Sequence, residues 1–177
     1  MDKHIITECY IDTMVVENAL SVTNGCNHQK GCNNVSRIMQ AKLQDMFAIG
    51  IIDDDKCKHS YFNEFRQIAV SDNAAVKLYK HKERNHYFII ICPAMERFIL
   101  DAAKQCNVSP STCNLPGELG EFLKITKSET SKDNENLRKL ISVLKQQGAE
   151  SICQLEQWLG ELTTNPCNPS IDLLHNK

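Results

Sequence analysis

Residues Ala48-Ile49-Gly50-Ile51-Ile52 form a short apolar run that passes directly into Asp53-Asp54-Asp55. A run with no polar face reads as a strand buried on both sides, which belongs in a parallel sheet covered by helices. In open α/β sheets, ligands gather outside the carboxyl ends of such strands, where these aspartates fall. The expected fold is therefore α/β, with a mostly parallel sheet flanked by helices.

Other segments can be placed around that strand. His4-Ile5-Ile6-Thr7 reads as a β-branched strand ending at Glu8, with Asp12 as the expected N-cap of a helix to about Asn18. Residues 19–23 suggest a second short strand. Residues 24–33, with two glycines and three asparagines, suggest a loop. Asn33 or Asn34 then caps a helix to Phe47, with Val35, Ile38, Met39, Leu43 and Met46 or Phe47 on its apolar face. Residues 76–80 alternate apolar and basic side chains as an edge strand does, and residues 87–92 are continuously apolar as a central strand is.

Pro93 suits the first turn of a helix whose apolar face is Met95, Phe98, Ile99 and Ala102, with Glu96 in that first turn. Three further helices are expected at 120–125, 134–147 and 151–162. In the last, Trp158, Leu155, Leu159 and Leu162 make an amphipathic face that should pack on the chain's own domain, with an exposed interface as the alternative. The expected organisation is an α/β domain over 1–106, a helical extension over 107–165 and a flexible tail over 166–177.

At 177 residues and 42% hydrophobic, the chain has material for one ordinary core. Its 20 Lys+Arg nearly balance 22 Asp+Glu, so any grip on nucleic acid must be local rather than a bulk cationic field. No apolar stretch approaches the roughly 18 residues of a membrane helix, and no charged start with an apolar run follows Met1. A cytoplasmic location without membrane contact is expected. The odd count of nine scattered cysteines points to reduced thiols.

The acids carry the chemistry. Glu8 follows one strand, Asp53 and Asp55 follow a second, and Glu96 opens the helix after a third, so parallel packing brings them to one edge. Asp53 and Asp55 are two apart and share a side of an extended segment, while Asp54 points away. Like charges so placed oppose folding unless a cation joins them. Mg²⁺ or Mn²⁺, which prefers oxygen ligands and is commonly shared with phosphate, suits them. A solvated turn capping the next helix is the plain alternative. Cys26, His28, Cys32, Cys57 and His59 contain zinc-type donors, but no CxxC spacing, and Cys57 with His59 lacks an orienting acid for nucleophilic catalysis.

Ile5-Ile6-Thr7-Glu8-Cys9-Tyr10-Ile11-Asp12, Lys30-Gly31-Cys32-Asn33-Asn34-Val35, Ile49 to Lys56 with its Asp53-Asp54-Asp55, and Pro93-Ala94-Met95-Glu96 occur in the order of the motifs of a Toprim domain. The chain resembles in particular the branch found in overcoming-lysogenization-defect (OLD) nucleases, over about residues 4–105, with Cys9 where that family has glycine. The resemblance implies a stand-alone, bacterial Toprim-like hydrolase acting on DNA or RNA. It implies Glu8 as general acid/base or first metal ligand, Asp53 and Asp55 as principal Mg²⁺ ligands, and Asp12 and Glu96 as completing a second metal site. Lys56 or Lys30 would meet phosphate charge, and Gly31 and Asn33 would lie in the nucleic-acid-binding loop. Because no GxxxxGK[ST] is present, the resemblance implies a domain that either acts alone or borrows its nucleic-acid grip and regulation from a partner protein such as an ATPase, in phage defence. A Toprim-fold binding or regulatory module without strong catalysis is the other reading.

Overall fold

The structure is a computed structural model that describes residues 3–54 and 59–170. Its strands are β1 (Ile5–Thr7), β2 (Cys26–His28), β3 (Ala48–Asp53), β4 (Phe65–Val70), β5 (Val76–His81) and β6 (His86–Ile91). They form one sheet in the order β2-β1-β3-β6-β5-β4. The first four neighbours run parallel, and β5 and β4 continue the sheet antiparallel. The helices are α1 (Tyr10–Ala19), α2 (Cys32–Ala41), α3 (Met95–Gln105), α4 (Leu119–Thr126), α5 (Glu135–Gln146) and α6 (Glu150–Thr164).

Alternation along the strands divides the apolar side chains between two layers. Ile5, Ile49, Ile51, Tyr87 and Ile89 face a large cluster shared with α1, α3, α5 and α6. Ile6, Ala48, Ile52, Phe88 and Ile90 face a smaller one with α2 and the 3-10 turn Ser60–Glu64. β3 and β6 are thus covered on both faces, as their unbroken apolar sequences predict. Leu155, Trp158, Leu159 and Leu162 all join the larger cluster, so the carboxyl-terminal helices complete a layer of the same core. Among the described residues no helix is long and apolar enough to cross a membrane.

Several elements differ from expectation. Residues 19–23 form no strand: Ala19 still belongs to α1, and Ser21 turns the chain with φ 54°. The strand lies instead in the polar segment expected as a loop, because the open edge of β1 supplies Cys26–His28 with backbone partners. Residues 76–81 are not at the edge, since β4 pairs outside them. A register shift between Gln67 and Ala69 interrupts β4's two-residue alternation and conceals it in the sequence. α2 ends at Ala41; Leu43 still reaches the core from the following turn, but Met46 is exposed. Pro93 precedes α3, which begins at Met95 with Ala94 as N-cap.

Gly50 is required by the layer above it. A Cβ there would come within 2.5 Å of the Phe88 ring and 2.7 Å of Met39 Sδ, both buried. Gly50→Ala is expected to destabilise the protein by about 1–3 kcal/mol through overpacking, read as a lowered urea midpoint.

Beneath α2, His86 is fixed in one tautomer. Its Nε2 donates to the Leu43 carbonyl at 2.8 Å, leaving Nδ1 to accept the Tyr61 hydroxyl at 2.6 Å. Burial, above all, lowers its pKa from the usual 6.5, so the folded state holds it neutral. The unfolded chain takes up the proton first as pH falls, so this contribution to stability is whole above about pH 6.5 and is lost below it. Thermal midpoints are expected to drop between pH 7.5 and 5, with a shallower slope in Tyr61→Phe.

Candidate functional site

Parallel register brings three strand ends together. Thr7 pairs with Ile51 and Asp53 with Ile91, so the chain leaving β1 emerges beside the end of β3, which lies beside the end of β6. Glu8 donates its N–H to Ile51 O at 3.1 Å and accepts the Asp53 N–H on Oε2 at 3.2 Å. Asp53 Oδ1 accepts the Met95 N–H at 3.1 Å and so caps α3. Glu8 and Asp53 are both half-buried.

Asp12 completes the group from α1. The helix begins at Tyr10 with Cys9 as N-cap, so Asp12 is not the expected cap but lies in the third helical position. From there its Oδ2 reaches back to the Cys9 N–H at 3.0 Å, the acidic half of a capping box. Asp12 is 1% exposed, and its Oδ1 has no hydrogen-bond partner among the described residues. Burial raises its pKa well above the usual carboxylate value, and the charges of Asp53 and Glu8 add to the rise. Burial and then Asp12 also push the Cys9 thiol far up, which keeps it neutral.

The other expected residues are placed less uniformly. Asp54 turns out of the group into an ion pair with Lys77 at 2.8 Å, and it accepts Cys92 Sγ–H at 3.3 Å. Glu96 stands in the first turn of α3, but Oε1 accepts the Thr126 hydroxyl of α4 at 2.8 Å. Gly31 caps α2 with φ 83°, a left-handed backbone suited to glycine, and its N–H donates to Glu8 O at 3.4 Å. Asn33 is exposed in the first turn of α2, and Lys30 is exposed with Glu129 4.0 Å away. Asp55, Lys56 and Cys57 lie outside the described residues.

Two features add to what the sequence indicated. Thr7 and Thr13 join hydroxyls at 2.6 Å and fasten the end of β1 to α1. Tyr10 and His28 stack with ring centroids 3.9 Å apart and planes 17° from parallel. No sequence spacing announces that pair, because β1–β2 pairing alone brings residue 28 beside residue 7.

Among the described residues no group of three or more His, Cys, Asp or Glu side chains is spaced to hold a metal ion. The described cysteines are free thiols. Two carboxylates with waters and a substrate phosphate are nevertheless the usual donor set for Mg²⁺, and Asp12 offers a buried oxygen that lacks a partner.

An ionised Asp12 opposes folding. Its raised pKa means that this cost grows as pH climbs above the usual carboxylate range, the reverse of an ordinary ion-paired aspartate. Asp12→Asn keeps an acceptor for the Cys9 N–H and removes the charge. It is expected to raise the thermal midpoint at pH 7.5 in chelator, and the gain should shrink at pH 4.

No protein family, curated protein or solved structure that was compared matches this chain.

Proposed function

We propose that the protein carries out metal-dependent phosphodiester chemistry on nucleic acid from a Toprim-like domain. The observation behind this reading is Asp12: buried, within the electrostatic reach of Asp53 and Glu8 at the end of a parallel sheet, and with one oxygen lacking a partner among the described residues. The parallel strands with helices on both faces agree with such a fold. Asp12 and Asp53 would hold Mg²⁺ or Mn²⁺, with Glu8 beside them. Asp55 and Glu96 enter as further ligands by the sequence resemblance alone. When bound, the ion supplies Lewis-acid stabilisation of phosphodiester oxygens.

This chain's own groups orient and exchange the proton. Glu8, held by the Asp53 N–H, is the proposed acid/base at the attacking or leaving oxygen. The start of α2 lies beside Glu8, tied to it by the Gly31 N–H, and its first turn at Asn33 with exposed Lys30 is the proposed phosphate contact. Lys56 has the same role by resemblance. Regulation and extended grip are assigned to a partner such as an ATPase in phage defence.

A binding or regulatory module is the second reading. It is favoured by Glu8 and Asp53 each satisfying a backbone N–H, as purely structural carboxylates do. The test is cleavage of labelled DNA and RNA with Mg²⁺ or Mn²⁺. Asp53→Asn and Glu8→Gln preserve the acceptors that cap α3 and Asp53, and each is expected to lower the rate at least about 100-fold with unchanged circular dichroism. Absence of metal-dependent cleavage in the wild-type protein leaves the module reading.

A further inference from the structure

A cavity of about 450 Å³ lies beside the Tyr10–His28 ring pair, lined also by Lys132 and Arg138. That volume falls within the roughly 300–1,000 Å³ of small-ligand sites. It borders the carboxylate group along the chain: Tyr10 lies between Glu8 and Asp12, and His28 is paired with Thr7, the residue before Glu8. We propose that this cavity is a subsite for one unpaired nucleotide of a single strand, with its base against the Tyr10–His28 rings and its phosphate toward Lys132 and Arg138. The assignment rests on reading the adjacent carboxylates as a phosphodiester site.

Each wall matches a part of such a ligand. Tyr10 and His28 are half-buried and stacked with planes within 17° of parallel, so each ring covers one face of the other and a base would extend the stack on an outer face, a contact open to any base. Arg138 is oriented by donating Nη2 to the Lys132 carbonyl at 2.7 Å, a bond that occupies one of its five N–H donors. Lys3 also lines the cavity, so three cations share its walls with the carboxylates of Glu17 and Asp133. Glu17 is engaged, its Oε1 accepting the Cys26 N–H at 3.3 Å. Burial, followed by the charges of Lys30 and Lys132, lowers the pKa of His28, so a neutral ring sits in cationic surroundings. A paired base within a duplex has both faces covered by its neighbours and cannot use this surface, which selects single strands.

The experiment measures binding by the full chain in chelator, where nothing is cut, using a fluorescent single-stranded oligonucleotide, the corresponding duplex and a nucleoside monophosphate. The single strand is expected to bind most tightly. His28→Ala and Tyr10→Leu should weaken it about 5- to 100-fold, and Arg138→Gln should flatten its salt dependence. Circular dichroism identifies a variant that has lost its fold, and His28→Ala and Arg138→Gln then carry the test. Equal affinity for duplex, tighter binding of the monophosphate, no binding of the single strand, or indifference to folded His28 and Arg138 variants overturns the subsite. Strand binding that needs Tyr10 and His28 without any metal-dependent cleavage keeps the subsite and removes the phosphodiester reading. Cleavage that ignores both rings does the opposite.

Discussion

The hydrogen bond from the Asp53 N–H to Glu8 Oε2 joins the ends of β1 and β3, and the rest of the carboxylate group is arranged around it. It depends on register. With Thr7 opposite Ile51 and Asp53 opposite Ile91, Glu8 emerges at Asp53, and Asp53 emerges at the first turn of α3. Parallel pairing makes this possible because it gathers the carboxyl ends of β1, β3 and β6 on one side. Backbone N–H groups at the starts of α1 and α3 then offset part of the repulsion between the acids.

Asp12 is only partly covered by this compensation. One of its oxygens is bonded to Cys9 N–H, the other has no partner among the described residues, and two anionic neighbours stand near it. A chain selected for stability alone would place a neutral residue here, since an uncompensated buried carboxylate costs free energy. Tension of this kind is characteristic of binding sites, where the ligand supplies the missing interaction.

The two ends of the sheet differ in a way that bears on access. On one side, β5 and β4 extend it antiparallel, with the Tyr61, Phe62, Phe65 and Phe88 rings packed over them. On the other, the sheet stops at the short β2, whose sequence Cys26-Asn27-His28 contributes little apolar surface. The polar cavity and the Tyr10–His28 rings lie at that thinner side.

Much of this was legible along the chain. The unbroken apolar runs of β3 and β6 required cover on both faces, and the acids following β1 and β3 marked one edge of a parallel sheet. Trp158 and its leucines announced a helix packed on the core. Local sequence failed where pairing outweighs propensity: Cys26–His28 became a strand because β1 had a free edge, and β4 was hidden by its bulge. Side-chain destinations were likewise not local properties. Asp12 became a buried first-turn carboxylate rather than the N-cap, and Glu96 was taken up by Thr126 of α4, 30 residues away. Periodicity records which face of an element is apolar, and it settled the layers. Only the assembled fold decides which polar groups meet, because hydrogen-bond partners are set by distance in space rather than along the chain.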